Sequence, residues 1–216
     1  QVTMEPIVII KYNAGNIESV RNALYRLGRD AEITADHDKI RSAGKVIFPG
    51  VGEASSTMEY LRRNSLDKLI ISLKQPVLGI CLGLQLMCSH TEEGDTKCLG
   101  IFNEKVRRFI PGTGKEFITK VPHMGWNSVS DLKGPLFSKD MENSYVYFVH
   151  SYYAGLGKHT AAICNYILPF SAALHKNNFY ATQFHPEKSG SVGSEILNNI
   201  LKLSSLIIIM DKLNII

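Results

Sequence analysis

The sequence predicts an α/β protein of three layers: a mostly parallel central sheet with helices on both faces, plus antiparallel strands in the C-terminal half. Up to about residue 94, short apolar runs alternate with segments of helical periodicity, which is typical of β-α-β units and a parallel sheet. Beyond it the elements are shorter, richer in aromatic residues and separated by turn residues, as in antiparallel sheets.

The elements of the first half follow from the spacing of apolar residues. Ile7-Val8-Ile9-Ile10 is an unbroken β-branched run, the pattern of a strand covered on both faces. After a polar turn, apolar residues at helical spacing predict a helix from Ile17 to Leu27. The other elements expected here are strands at residues 31–34, 45–48 and 76–78 and two helical stretches within 58–73.

The second half and the chain ends are interpreted in the same way. Strands are expected at residues 106–109, 119–121, 145–149, 160–164, 172–175 and 180–184, and a last helix at 191–203. No linker and no internal repeat separates the halves, so we expect a single domain over residues 1–216. Residues 1–3 precede Met4, an ordinary start, and we expect them to be an addition outside the fold. The apolar tail, 206–216, is far shorter than the ~20 residues of a membrane span, and we expect it to be packed on the body or disordered.

Composition and charge limit the functions that the protein can have. Hydrophobic residues make up 44% and charged residues 20% of the chain, as in ordinary globular proteins. The net charge of +4 is carried by scattered Lys and Arg, which does not support nucleic-acid binding, and we predict no membrane association, no metal and no cofactor. The cysteines lack CxxC spacing and the start shows no signal-peptide pattern, so we expect free thiols in a reducing, cytoplasmic compartment. The cysteines are Cys81, Cys88, Cys98 and Cys164.

The segment Gly79-Ile80-Cys81-Leu82-Gly83 predicts a nucleophile. An apolar strand turns sharply and continues as a helix, which is the thiol counterpart of the Gly-x-Ser-x-Gly elbow. We expect the glycines to allow the strained turn, and the positive end of the following helix to favour the thiolate of Cys81. This segment alone is equally consistent with an inert buried cysteine.

A base for this nucleophile is predicted in His185-Pro186-Glu187. Imidazole can take the proton of a thiol near neutral pH, and a carboxylate can fix its tautomer and stabilise the imidazolium. Because Pro186 stiffens the link, His185 and Glu187 are expected to project in a related direction. Cys81, His185 and Glu187 would then form a triad. Cys81 should share one edge of the sheet with residues 13–16 and 49–52, since all three follow parallel strands.

Together these motifs resemble those of class I glutamine amidotransferases. Within that class, further segments resemble the family of glutaminase subunits of imidazole glycerol phosphate synthases. These segments are Gly15-Asn16, Pro49-Gly50-Val51-Gly52, Pro122-His123-Met124-Gly125-Trp126-Asn127, Tyr147-Phe148-Val149-His150-Ser151-Tyr152 and Gln183-Phe184-His185-Pro186-Glu187-Lys188-Ser189-Gly190. The resemblance covers nearly the whole chain. It departs at Lys11-Tyr12-Asn13, where many members carry Asp-Tyr-Gly, and no residue of the triad lies in this turn.

The resemblance implies that Cys81 attacks the side-chain amide of glutamine, with glutamate and ammonia as products. The N–H of Leu82 and an N–H from Gly50-Val51-Gly52 are the expected oxyanion donors, each worth about 3 kcal/mol. We expect the latter segment to be misoriented until a partner turns it inward. Contacts to the substrate are expected from Gln85, Ser151 and Tyr152. The alternatives are a solvated helix position for Gln85 and core packing for Tyr152.

The resemblance also implies a partner. Ammonia would pass to a (β/α)8-barrel synthase in a heterodimer, which forms imidazole glycerol phosphate and aminoimidazole carboxamide ribotide (AICAR) in histidine biosynthesis. The residues that match partner-facing positions are Asn13, Asn16, Trp126, Tyr147 and Lys188. A core position is the alternative for Trp126, the sole tryptophan.

Three other functions remain open at this stage. A paralogous glutaminase could feed ammonia to a synthase of modified sugars. An amidotransferase fold could serve as a silent binding subunit, although this requires a broken triad and all three residues are present. A cysteine protease would need a polypeptide groove, of which the sequence gives no sign.

Overall fold

The computed structural model describes residues 4–13, 17–113 and 118–204. The strands are β1 (Ile7–Ile10), β2 (Glu32–Thr34), β3 (Lys45–Phe48), β4 (Val77–Ile80), β5 (His90–Thr91), β6 (Thr96–Lys97), β7 (Lys105–Arg108), β8 (Gly112–Thr113), β9 (Ile118–Thr119), β10 (His123–Ser128), β11 (Tyr145–His150), β12 (Tyr152–Ala154), β13 (Thr160–Tyr166), β14 (Leu168–Lys176) and β15 (Phe179–Thr182). The α-helices are α1 (Ile17–Arg26), α2 (His37–Ser42), α3 (Ala54–Arg63), α4 (Leu66–Ser72), α5 (Leu82–Met87) and α6 (Gly190–Lys202), with short 3-10 turns at Lys139–Met141 and Pro186–Lys188.

The largest sheet of the described residues has seven strands in the order β13-β14-β15-β4-β3-β1-β2. From β2 to β15 neighbouring strands are parallel, and β14 and β13 add antiparallel strands at one side. The predicted class, a mostly parallel sheet with antiparallel strands from the second half, is confirmed.

Helices cover both faces of this sheet because its strands are apolar on both sides. Ile7 and Ile9 of β1 pack in one core with residues of α1 and α6, such as Leu24 and Ile196. Val8 and Ile10 point to the other face, into a second core with residues of α2 to α5. Alternate side chains of one buried strand thus serve two cores, which explains the unbroken β-branched run.

The second half adds smaller sheets beyond the central one. β10 and β11 form an antiparallel ribbon, β12-β7-β5-β6 form a four-stranded sheet, and β8 pairs with β9. Of the ribbon, β11 was predicted and β10 was missed: the strand expected over residues 119–121 ends at Thr119 as β9, and β10 begins at His123.

Two helices differ from the prediction. The helix expected from Met58 begins at Ala54, because the carboxylate of Glu53 accepts hydrogen bonds from the N–H groups of Ser55 and Ser56. The six-residue helix α2 was missed, since it is too short to establish a period.

The predicted common edge is present in the fold. β1, β3 and β4 are adjacent and parallel, so Asn13, residues 49–52 and Cys81, which follow these strands, lie at the same edge of the sheet. The tail at 206–216 and residues 1–3 and 14–16 lie outside the described residues. Within the described part of the chain, no helix is both long and apolar enough to cross a membrane, and no group of three metal-ligating side chains occurs.

Candidate active site

Cys81 stands at a strained bend between β4 and α5. Its backbone has φ 54° and ψ −108°, a conformation that costs a residue with a side chain about 1–3 kcal/mol. The bend is held because the Cys81 N–H donates to the carbonyl of Thr182, at the end of β15, over 2.8 Å. The parallel neighbour therefore fixes the position of the thiol.

The two flanking glycines allow the strained turn by their small size, while the positive φ is taken by Cys81 itself. Gly79 lies within β4, and Cys81 takes the positive φ. A Cβ on Gly83 would lie 2.2 Å from the carbonyl oxygen of Phe48, and one on Gly79 would lie 2.8 Å from the sulfur of Met87. The glycines let α5 pack directly against β3 and β4, and this contact presents Cys81 at the sheet edge.

His185 and Glu187 form a buried pair beside this bend. The Nδ1 of His185 lies 2.6 Å from Oε1 of Glu187, and each side chain is only 3% exposed. The backbone of His185 is held from both sides: its N–H donates to the carbonyl of Tyr147 at 3.0 Å, and its carbonyl accepts from the hydroxyl of Ser189 at 2.6 Å. The imidazole is therefore oriented by its carboxylate on a rigid backbone.

The charges around His185 favour the imidazolium. Burial, the largest effect, lowers the pKa of His185, but hydrogen bonding and charge from Cys81 and Glu187 outweigh burial and raise that pKa to about 10. Its Nε2 is buried without a hydrogen-bond partner of normal geometry among the described residues. The imidazole and the thiol are thus neighbours, and Nε2 is available to exchange a proton.

The four cysteines are free thiols and differ in their surroundings. Burial raises the pKa of Cys98 to about 11 and that of Cys164 to about 12, and raises the pKa of Cys88 well above its ordinary value. These three thiols are poor sources of thiolate. The sulfur of Cys81 lies 3.7 Å from Nε2 of Gln183 and 3.8 Å from the carbonyl oxygen of Val149.

Cys81 opens into a cavity of about 360 Å³, which suits a small molecule. The cavity is lined by residues predicted for the site, namely Val51, Gly52, Leu82, Gln85, Ser151 and Tyr152, and by residues that were not predicted, namely Glu93, Pro122, Val149 and His150. A larger cavity, of about 870 Å³, lies between β7 and the β12–β13 connection and contains none of the predicted site residues.

Gln85 is buried at this cavity, so its interpretation as a solvated helix position is wrong. Its Nε2 donates to the carbonyl of Tyr152 at 3.0 Å and to Oε1 of Gln183 at 3.1 Å. Tyr152 is half-buried and both packs on a core and lines the cavity.

The side of the cavity at which the oxyanion donors were predicted is closed. The N–H of Leu82 donates to the carbonyl of Gly50 at 3.3 Å, so this predicted donor is already engaged. The preceding carbonyl, that of Pro49, accepts a hydrogen bond from the hydroxyl of Tyr12, a residue that sequence reasoning passed over. Burial, with the nearby Cys81, raises the pKa of Tyr12 far above its ordinary value, so this hydroxyl keeps its proton. Gly52 has φ +140°, which side chains rarely adopt.

The residues predicted to face a partner lie largely at the surface. Trp126 is 55% exposed, so its interpretation as a core residue is wrong, and its ring meets that of Tyr147 edge-on at 6.1 Å. Asn13 and Lys188 are exposed and Tyr147 is half-buried, while Asn16 lies outside the described residues.

The fold and the site around Cys81, at the carboxyl ends of the parallel strands, define a class of enzyme. The family model "Glutamine amidotransferase class-I" matches residues 8–203, and the chain belongs to that family. Within it the chain groups with imidazole glycerol phosphate synthase subunits HisH: it is 58% identical over 197 residues to that of Bacteroides fragilis (strain YCH46), covering 91% of this chain and 99% of the relative. To the subunit of Haemophilus influenzae (strain 86-028NP) it is 47% identical over 200 residues, with 92% and 98% covered.

Structural neighbours agree on the fold. A putative GMP synthase protein from Thermoplasma acidophilum superimposes with a TM-score of 0.68 at 20% identity, with 98% of this chain and 97% of that chain covered. The glutaminase domain of Trypanosoma brucei CTPS gives a TM-score of 0.58 at 15% identity, with 92% and 94% covered. At such identities the likeness concerns the fold alone.

Proposed function

We propose that this protein is the glutaminase subunit of an imidazole glycerol phosphate synthase. It hydrolyses glutamine and passes ammonia to a (β/α)8-barrel synthase subunit, which forms imidazole glycerol phosphate and AICAR in histidine biosynthesis. The observation that carries the glutaminase role is the buried His185–Glu187 pair beside Cys81 at a strained bend. The choice of synthase rests on the printed names of the HisH relatives.

The proposed reaction runs through a covalent intermediate. The thiolate of Cys81 attacks the side-chain amide carbon of glutamine, and the C–N bond breaks as His185 gives a proton to the leaving ammonia. A γ-glutamyl thioester remains on Cys81. His185 then takes a proton from water, the resulting hydroxide attacks the thioester, and the C–S bond breaks to release glutamate. Glu187 stabilises the imidazolium in both steps.

The lining of the cavity suits a free amino acid. Glutamine carries an α-ammonium group, and the carboxylate of Glu93 is the charged group of opposite sign at the cavity. Gln85, Ser151 and Tyr152 offer amide, hydroxyl and backbone groups for the polar atoms of the substrate. We assign these residues to substrate binding.

The closed oxyanion side supports a role for the partner. With the Leu82 N–H bonded to the Gly50 carbonyl, the tetrahedral intermediate lacks a donor worth about 3 kcal/mol. We propose that binding of the synthase turns the peptides of Gly50, Val51 and Gly52, which frees Leu82 and adds a second donor. Glutamine would then be hydrolysed only where ammonia can be used.

The exposed outer face of β10 and β11 suits the synthase interface. Exposed Trp126 and Met124 and the aromatic ring of Tyr147 form an apolar surface, and Lys188 and Asn13 add polar groups. Aromatic residues of this kind commonly anchor protein interfaces. We further propose a single domain over residues 1–216 and a cytoplasmic location, in line with four free thiols.

The test is the Cys81→Ala variant in complex with the synthase subunit. We expect glutamine-dependent product formation to fall at least about 10⁴-fold, because the nucleophile is lost, while free ammonium still supports the synthase. Cys98→Ala is the matched control, since this thiol is buried with a raised pKa and should leave activity near that of the wild type. Full glutaminase activity in Cys81→Ala would refute the nucleophile.

A further inference from the structure

Two buried imidazoles that the reaction does not use lie opposite each other in the β10–β11 ribbon. His123 and His150 are paired in register, and Nδ1 of His123 lies 2.9 Å from Nε2 of His150. His150 borders the cavity that holds Cys81. Histidines in such contact share one proton between two nitrogens, so the direction of each hydrogen bond can be worked out.

The direction is fixed by a carbonyl at one end. Nδ1 of His150 lies 2.7 Å from the carbonyl oxygen of Tyr152, which only accepts, so Nδ1 carries the proton. In a neutral ring Nε2 of His150 is then an acceptor, and Nδ1 of His123 must donate to it. Nε2 of His123 in turn accepts from the side-chain amide of Asn127 at 3.2 Å. One arrangement of protons therefore satisfies every hydrogen bond of this series.

The surroundings keep both rings neutral. The ring of His123 is stacked on Phe148 at 4.7 Å and on Tyr166 at 4.0 Å. Burial lowers the pKa of His123 to about 4. For His150, burial and the charges of His123 and His185 outweigh the Tyr152 carbonyl and lower the pKa to about 3. A second proton on His150, at Nε2, would point at the Nδ1 proton of His123, and the hydrogen bond between the two rings would be lost.

This series of hydrogen bonds ends on residues of the proposed glutamine cavity. The carbonyl of Tyr152 that accepts from His150 also accepts from Nε2 of Gln85 at 3.0 Å. Gln85 continues to Gln183 at 3.1 Å, and Nε2 of Gln183 lies 3.7 Å from the sulfur of Cys81. A continuous series of hydrogen bonds therefore runs from the ribbon to the nucleophile.

We propose that His123 and His150 are positioning residues: their one-directional hydrogen-bonded pair fixes the carbonyl of Tyr152, and through it the amide of Gln85, for binding of glutamine. This inference rests on the proposed glutaminase function. It predicts that the Nδ1–H of His150 matters for substrate affinity, whereas the bulk of the ring matters only for packing.

Two substitutions at His150 separate these roles. An asparagine amide reaches about the position of Nδ1 and can still donate to Tyr152, whereas a glutamine amide reaches about the position of Nε2 and cannot. In the complex with the synthase, we expect His150→Gln to raise KM for glutamine at least about tenfold with a smaller change in kcat. His150→Asn should keep the rise within about threefold. His90→Gln, at a partly exposed position outside the network, is the control.

Equal KM changes in the two variants would overturn the inference, because a packing role would not distinguish them. If neither variant folds, the ¹⁵N shifts of the imidazole nitrogens in the wild-type chain decide. We expect both histidines to be neutral Nδ1–H tautomers from pH 6 to 8, and an Nε2–H tautomer or a charged ring at His150 would overturn the inference. A wild-type complex without glutamine hydrolysis would refute the proposed function as well, whereas an active one with unchanged KM in His150→Gln refutes this inference alone.

Discussion

The bend at Cys81 and the Pro49–Gly52 segment follow adjacent parallel strands at one edge of the sheet, yet they are held very differently. The bend is fixed by the Thr182 carbonyl and by the close packing of α5. The segment belongs to no strand, and its orientation depends on hydrogen bonds from Tyr12 and Leu82. The comparison supports the proposal that the nucleophile and base are built in advance, while control of the reaction would lie in the Pro49–Gly52 segment, which covers the Leu82 N–H.

Among the tests of this comparison, the largest effect is expected from Glu187→Gln, which changes the partner of the proposed base. Gln cannot stabilise the imidazolium of His185 as a carboxylate does, so we expect kcat in the complex to fall about 10³-fold. The ratio of the rates with and without the synthase should remain, because the segment is untouched. Steady-state glutamate release measures both, and a loss of the stimulation alone would contradict this division of roles.

The loss of unfolding free energy in Glu187→Gln should also depend on pH. Cys81 and Glu187 together raise the pKa of His185 from 6.5 to about 10, so the stabilisation that they give the imidazolium is complete below pH 6.5 and is lost as the pH rises through about 10. Urea unfolding should therefore show Glu187→Gln destabilised by about 3 kcal/mol at pH 6 and by clearly less at pH 10. Asp95→Asn, which removes the exposed partner of His90, should change little at either pH.

A smaller effect is expected from a substitution on the proposed synthase interface, through which the synthase would turn the Pro49–Gly52 segment. Trp126→Ala removes an exposed aromatic side chain, so we expect about tenfold weaker binding of the synthase with little change in unfolding free energy. Glutaminase activity should recover at saturating synthase, since the site itself is intact. Tyr25→Ala, an exposed aromatic residue on α1, is the control, and equal effects of the two variants on the dissociation constant would exclude Trp126 from the interface.

The smallest expected effect comes from loosening the segment with Tyr12→Phe. This variant removes the hydrogen bond to the Pro49 carbonyl and keeps the ring, so the segment should turn more readily. Glutaminase activity of the chain without the synthase should rise about threefold, and the stimulation should shrink to match. Tyr25→Phe is the matched control, and an unchanged basal rate in Tyr12→Phe would show that the hydroxyl does not restrain the segment.

Local patterns predicted the strands and the bend well. β1 and β3 were placed to the residue, because strands buried on both faces are apolar throughout, and the bend at Cys81 was recognised from the two glycines around it. The closed segment was beyond local patterns, because the contacts of Tyr12 with Pro49 and of Leu82 with Gly50 join residues far apart in the sequence. The pairing of His123 with His150 likewise depends on strand register. Glu93 reaches the cavity from the β5–β6 hairpin, whose two-residue strands leave no periodic signal.

The most direct test of this account compares glutamate release by the full chain alone and by the chain saturated with the synthase and its nucleotide substrate. Because the Gly50 carbonyl occupies the Leu82 N–H, the isolated chain should lack an oxyanion donor and be about 10²- to 10³-fold slower. Equal rates in the two states would contradict the claim that the nucleophile and base are ready and that the Pro49–Gly52 segment withholds the reaction.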